Sequence, residues 1–389
     1  MKILDLKIEG FRSLKSVEWK PGDINILIGP NAGGKSNLLQ AMEMIAESAK
    51  GKLDKFVKEQ GGMGSIVWDG KAKSIKVWLD HQFEKVDTNK TLTYRLIFDR
   101  LGDSGTGYII GSEYLIEEGS NDPLLSRSSL EVIISDFDRT TSDIIDQNQT
   151  SLSLFKSSDL YLSRKHENIA QLQKYISSWN IYSHFDTGPE AKIRQAFITS
   201  HDKKVESDGQ NFIAVLHTLY EEDREFKQEI NSAMKAAFGD DYEELSFPPA
   251  AQQRSQLALK WKSLKSPQYS TVLSDGTLRF LYLLTILADP DPPALIAIDE
   301  PEAGLHPRML PIIAEYALEA SRRTQVILAT HSPEMLSAFG KRQSEVTVTV
   351  AQWEEGQTKL KTLEGEKLDY WLKEYTLGEL FRSGELEDM

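Results

Sequence analysis

The apolar run Ile24-Asn25-Ile26-Leu27-Ile28 ends in Gly29-Pro30-Asn31-Ala32-Gly33-Gly34-Lys35-Ser36, and from Lys35 to about Ala49 the chain takes on a helical pattern. Pro21-Gly22-Asp23 marks a turn before the run, so the run reads as a buried strand between turn residues. The octet matches G-x-x-x-x-G-K-S/T in the strand, loop and helix context that this pattern requires. Its glycines let backbone N–H groups wrap a polyphosphate, and the helix N-terminus adds partial positive charge. Lys35 can reach the β- and γ-phosphates, and the Ser36 hydroxyl can ligate Mg²⁺. Asn31, Ala32, Gly33, Gly34, Lys35, Ser36 and Asn37 are therefore candidate nucleotide contacts. The bland alternative is a chance glycine-rich turn ahead of a helix.

The 389 residues suffice for two or three domains of ~150 residues, or one domain with a large insertion. With 40% apolar and 27% charged residues, the chain is of ordinary globular composition and not a disordered one. A formal net charge of −14 argues against binding nucleic acid by bulk charge, although a local basic groove stays open. The absence of cysteine excludes disulfides, thiolate catalysis and Cys-ligated metal centres. No apolar run reaches the ~18 residues of a membrane helix, and acidic residues interrupt the start MKILDLKIEG, so a cytoplasmic location without membrane contact is expected.

Lys2 to Glu9 alternates as a half-buried strand does, with Ser16 to Trp19 as its hairpin partner. Ser74 to Phe83, Thr91 to Asp99 and Gly107 to Glu117 read as an antiparallel meander. The polar segment 138–159 reads as a linker opening an inserted subdomain, and 160–238 as helical, with no heptad repeat long enough for a coiled-coil arm. After Pro248-Pro249, strand texture at Ser255 to Trp261 gives way to a helix at Gly276 to Leu287. A strand at Ala294 to Asp299, a helix at Pro307 to Ala320 and a strand at Gln325 to Ala329 follow, the alternation of a parallel sheet covered by helices.

Three further features carry chemistry. The strand Ala294 to Asp299 ends in the carboxylate pair Asp299-Glu300, which can divide its labour. Asp299 would hold Mg²⁺, and Glu300 would orient and polarise an attacking water. Alone, such a pair is more often a solvated loop entry. Leu273-Ser274-Asp275-Gly276-Thr277 precedes a helix, and Thr330-His331-Ser332-Pro333 follows a strand.

With Phe11-Arg12-Ser13 after the first strand, and Pro301-Glu302-Ala303-Gly304-Leu305-His306-Pro307 after the carboxylates, this ordered set resembles the ABC-type ATPases. The resemblance is to the RecF/SMC-like and OLD-like branch of bacterial AAA-family proteins (AAA_21 type). It implies an α/β fold: a two-lobed P-loop ATPase head of mixed and parallel sheet, with residues 1–119 and 251–389 as lobes and 120–250 as an inserted, mainly helical subdomain. It implies ATP and Mg²⁺ as cofactors, and Ser274 and Gly276 acting on the γ-phosphate of nucleotide held by a second subunit. It further implies that His331 contacts the γ-phosphate in cis, and that Arg12 with Ser13 lies near the nucleotide. Asp275 stands where transporter ATPases carry glycine, and His306 where they carry aspartate. Neither this nor the 238-residue separation of Ser36 and Ser274 suits a transporter subunit. Leu368-Asp369-Tyr370-Trp371 and Tyr375 to Leu380 resemble the tail of the branch, and no Toprim nuclease domain is expected after it. Gln82 is a weak candidate for the family's glutamine.

The implied function is ATP-driven closure and opening of paired heads, an ATPase serving a DNA-related or anti-phage defence effector supplied by a separate protein. The alternative is a nucleotide-gated scaffold with negligible turnover that holds a toxin or nuclease. Two lysine runs, Lys50-Lys52-Lys55-Lys58 and the pair Lys203-Lys204, are candidate DNA contacts against the commoner reading of solvated faces.

Overall fold

The computed structural model describes residues 1–85, 88–102, 106–128, 131–134, 146–155, 164–363, 371–372 and 375–388. Packing divides the chain into two compact units. The first holds Met1–Gly22, Leu27–Ile181 and Thr347–Leu363, and the second Asp23–Ile26, Tyr182–Val346 and Glu364–Met389.

In the first unit β1 (Lys2–Phe11) and β2 (Leu14–Trp19) form the expected hairpin. β3 (Ile24–Ile28) enters from the second unit and leads through the glycine loop into α1 (Lys35–Ala49), α2 (Leu53–Glu59) and α3 (Met63–Ile66). The meander follows as β4 (Ser74–Lys85), β5 (Thr88–Arg100) and β6 (Tyr108–Glu117), extended by β7 (Leu125–Ser128) and β8 (Glu131–Ile134). All are antiparallel in one sheet of order β2-β1-β4-β5-β6-β7-β8. Tyr108 and Ile110, then Glu113 and Leu115, are buried in β6 at period-two spacing, and the phase changes between the pairs where the register with β5 shifts. α4 (Arg164–Ser177) packs on α1, whose Leu38, Met42, Ile45 and Ala49 recur at helical spacing and are buried.

β9 (Asn180–Tyr182) carries the chain into the second unit. There follow β10 (Phe197–Ile198), α5 (Phe212–Glu222), α6 (Arg224–Phe238), β11 (Tyr242–Ser246), β12 (Pro249–Ala250), β13 (Arg254–Ser255), β14 (Ala258–Trp261) and β15 (Gln268–Tyr269). Then come α7 (Asp275–Leu287), β16 (Leu295–Asp299), α8 (Leu310–Ala320), β17 (Gln325–Ala329) and α9 (Pro333–Ser337). β16 and β17 are parallel, Leu295 opposite Gln325 through Asp299 opposite Ala329. β18 (Thr347–Glu354) and β19 (Gln357–Leu363) return as a hairpin to the first unit. From Phe280 to Leu287 α7 is buried at every position, as a helix inside a core must be, while Asp275 and Arg279 mark its start as polar.

The stretch 120–250 crosses the division between the units at Ile181 and Tyr182 and contains β7, β8, β10, β11 and β12 beside its helices. Composition predicts helix throughout 160–238, yet the described residues of 182–211 hold no α-helix. At Gly209, just ahead of α5, the backbone is left-handed at φ 68, where a Cβ would fall 2.7 Å from a Phe185 ring carbon and 2.8 Å from one of Tyr282. Phe185 stacks on Tyr282 with ring centroids 3.9 Å apart, and Trp179, Tyr182 and Phe185 are buried. Of the segment 138–159 only 146–155 is described, and of Leu368 to Trp371 only Trp371; the rest of both lies outside the described residues. Among those residues no helix is long and apolar enough to cross a membrane.

Candidate nucleotide site

The candidate residues fall into two halves, one in each unit. In the first, the strand-to-helix loop takes left-handed backbone at Gly29 (φ 140), Ala32 (φ 66) and Gly34 (φ 102). Gly34 tolerates no side chain, because a Cβ would lie 1.9 Å from Thr358 Oγ1. It stands at the cap of α1 without side-chain capping, and no acidic residue occupies the first turn. Backbone N–H groups there are the orphan donors of a helix start, and the first turn itself carries no carboxylate to repel an anion. Lys35 is 7% exposed, and its Nζ donates to the carbonyls of Gly29 at 2.7 Å and Pro30 at 3.1 Å. Asn31, Ala32 and Ser36 are exposed. A polyphosphate fits this loop: the lysine is already folded onto it and Ser36 is exposed beside it.

Ser13 and Asn37 are brought together beside the loop. The Ser13 hydroxyl accepts from Asn37 Nδ2 at 2.7 Å and from Thr358 Oγ1 at 2.7 Å, and its carbonyl accepts from Thr358 N–H at 2.8 Å. Arg12 also has left-handed backbone (φ 45), but its guanidinium is engaged with Gln60 Oε1. Burial pushes that guanidinium below the ordinary arginine value, against the pull of Glu43. Gln82 lies in β4 opposite Lys2 of β1.

In the second half Asp299 ends β16, and Glu300 turns the chain in left-handed backbone at φ 49. Three hydrogen bonds hold this turn: Glu300 N–H donates to the Ala329 carbonyl at 2.8 Å, and the Glu300 carbonyl accepts from Arg279 at 2.8 Å and from Ala303 N–H at 3.1 Å. A non-glycine residue in this conformation stores strain of about 1–3 kcal/mol, which the surroundings must hold. The Glu300 carboxylate, half exposed, stands 3.4 Å from His331 Nδ1. Glu302 lies 3.8 Å from the same nitrogen with its side chain 11% exposed, and Thr330 Oγ1 donates to it at 2.6 Å. The other Glu302 oxygen is buried and, among the described residues, has no hydrogen-bond partner. Burial lowers the pKa of Arg279, while Tyr282, Glu302, Glu300 and Asp299 oppose the shift. Among the described residues no cluster of three His, Asp or Glu is assembled to hold a metal. Asp299, at the end of β16, has the hard oxygen ligands that Mg²⁺ takes, an ion commonly held by one or two carboxylates with phosphate and water completing its shell.

Ser274 caps α7: its hydroxyl accepts from Thr277 N–H at 3.2 Å and lies 2.8 Å from Thr277 Oγ1. Gly276 is required by packing, since a Cβ would fall 2.6 Å from the Gly304 carbonyl. His306 serves locally, its Nδ1 accepting from Arg308 N–H. Sequence reasoning missed Arg279, Glu302, Thr330 and Thr358. Glu302 and Thr330 stood within quoted motifs, whereas nothing local marks Arg279 or Thr358.

Residues 24–337 match the family profile AAA_21, described as "AAA domain, putative AbiEii toxin, Type IV TA system". Curated proteins matched in part are each named DNA replication and repair protein RecF. That of Citrifermentans bemidjiense is 30% identical over 104 residues, and that of Geobacter sp. (strain M21) 31% over 104, each match covering 25% of this chain and 29% of the relative. That of Moorella thermoacetica is 29% identical over 89 residues, 22% of each chain. The chain thus spans less than a third of these relatives. A solved SMC head bound to the C-winged helix domain of ScpA has a TM-score of 0.59 at 14% identity, covering 95% of this chain and 100% of that one. An SMC head with an extended coiled coil, bound to the C-terminal domain of ScpA derived from Pyrococcus furiosus, gives 0.57 at 13%, covering 96% and 98%. At these identities the likeness is one of fold.

Proposed function

The chain belongs to the AAA_21 family and has the fold of an ABC-type, RecF/SMC-like ATPase head; from that premise we propose that it binds ATP with Mg²⁺ and hydrolyses it, and that two copies join on ATP to act on a separate effector protein in the cytoplasm. The uncapped start of α1, with Lys35 folded onto its own loop, carries this reading. Phosphate oxygens would offer this ammonium charge-assisted hydrogen bonds, stronger than those to the Gly29 and Pro30 carbonyls. Ser36 and Asp299 are the residues assigned to Mg²⁺, which supplies neutralising charge to the phosphates when bound. Glu300 takes the proton of the attacking water, and His331, beside it, donates toward the γ-phosphate. Ser274 and Gly276 serve the nucleotide of the partner copy. The effector draws support from the family description, with its Type IV TA system, and from the SMC heads, whose structures contain ScpA.

Lys35→Ala tests the reading. It removes the loop's own cation, so ATP affinity by calorimetry should fall at least ~100-fold, and wild-type affinity in this variant would end the assignment. Steady turnover by the wild type, with and without DNA, separates the ATPase from the scaffold.

A further inference from the structure

Asp275 occupies the first turn of α7, between Ser274 and Gly276. A carboxylate favours a helix start for its own sake, but the same start is where the proposed function needs a phosphate. Two anions cannot share one set of N–H donors without compensation. The structure supplies it in Arg194, whose side chain is only 11% exposed against 67% for Asp275. One guanidinium nitrogen of Arg194 pairs with Asp275 Oδ1. A second donates to the carbonyls of Leu273 at 2.8 Å and Ser270 at 3.1 Å, and Nε donates to the carbonyl of Thr187 at 2.9 Å. In return Ser270 Oγ donates to the Arg194 carbonyl at 3.1 Å. The fork of one arginine thus fixes both the chain entering the cap and the acid that follows it.

We propose that Arg194 is a positioning residue that acts through Asp275: by neutralising and holding that carboxylate, it lets an acid-bearing signature receive the γ-phosphate of a second copy. The proposal rests on the composite-site reading above. Where glycine replaces Asp275, no such arginine is needed. Where aspartate is kept, losing the arginine leaves an exposed negative charge facing the incoming phosphate.

The experiment has two arms. In the first, Lys35→Ala and Ser274→Arg chains, each silent alone, are mixed; recovered turnover shows a site shared between copies. Silence of the mixture while the wild type turns over refutes the shared site, whatever Arg194 does. In the second, Arg194→Ala should lower kcat at least tenfold while the affinity of the isolated chain for ATP stays within about twofold. Adding Asp275→Asn should return kcat to within about threefold of wild type without changing the melting temperature of the single variant. Arg194→Gln keeps hydrogen-bond donors and lacks the charge, so it should lose the same turnover and be rescued in the same way. Wild-type kcat in Arg194→Ala or Arg194→Gln, or a double variant as slow as the single, overturns the proposal.

Discussion

Glu300 joins a strained backbone to a reactive position. Its φ of 49 is held by hydrogen bonds at both ends of the residue, its N–H to Ala329 and its carbonyl to Arg279 and Ala303. In the proposed role these bonds set the direction of the carboxylate leaving β16, and so help it to orient a water. Glu300→Gln is therefore expected to retain ATP binding and to lose turnover by about 10²–10⁴-fold, the usual worth of a positioned base. Arg279→Met should cost about tenfold in kcat, by removing one of the two donors on the carbonyl without touching the carboxylate. Single-turnover kinetics beside calorimetry reads both, and a Glu300→Gln chain hydrolysing ATP at the wild-type rate would move the base elsewhere. Glu300 and His331 were visible in the sequence because each follows an apolar strand directly. Arg279 was not, because its task is to reach from inside a buried helix to a backbone oxygen 21 residues on, and no pattern of residue types encodes that.

Elements were legible where one local signal decided them. Helix α1 begins at Lys35 and ends at Ala49 as its pattern predicts, and the strands on either side of the Asp299-Glu300 turn pair in parallel as the alternation requires. The segment 138–159 shows where such signals stop: its polarity suggests a linker, yet in the described part Thr150, Ser151 and Leu152 are buried. The anchor is Glu113, on the inward face of β6, which accepts from Ser151 N–H, from Leu152 N–H at 2.9 Å and from the Tyr94 hydroxyl at 2.8 Å. Thr150 Oγ1 donates to the Ser48 carbonyl at 2.8 Å, near the end of α1, so the same segment touches the helix that begins at the phosphate loop. Glu113→Ala would strand three buried donors at about 1–3 kcal/mol each, less whatever relaxation recovers. A loss of about 2–5 kcal/mol in urea denaturation is expected, with faster amide exchange at Ser151 and Leu152. A change below ~1 kcal/mol would mean that the segment is held by other contacts.

At the scale of the whole chain, the −14 charge and the placement of the lysines bear on what the protein can bind. Both basic runs were candidate DNA surfaces, and the structure compensates much of their charge. Lys203 pairs with Glu222 at 2.6 Å, and Lys204 with Asp291 at 3.1 Å and Asp289 at 3.4 Å. Lys50 pairs with Glu47 at 2.7 Å, Lys55 with Glu59 at 3.7 Å and Lys58 with Asp54 at 2.5 Å. The helical pairs three or four residues apart could have been read from the sequence. Those of Lys204 could not, since its partners stand more than 80 residues away. DNA affinity comes mainly from cations that displace counterions from phosphates, and a lysine already facing a carboxylate gains little by the exchange. The nucleotide-free chain is therefore expected to bind a 30-bp duplex no more tightly than ~10⁻⁵ M at 150 mM salt, within the non-specific range. Charge reversal at Lys203 and Lys204 should leave that value unchanged, with fluorescence anisotropy across a salt series as the measurement. A dissociation constant below ~10⁻⁷ M that weakens steeply with salt and is lost in the Lys203 and Lys204 variant would restore the second unit as a DNA surface. Weak binding indifferent to that variant leaves a protein partner as the object of the ATP cycle.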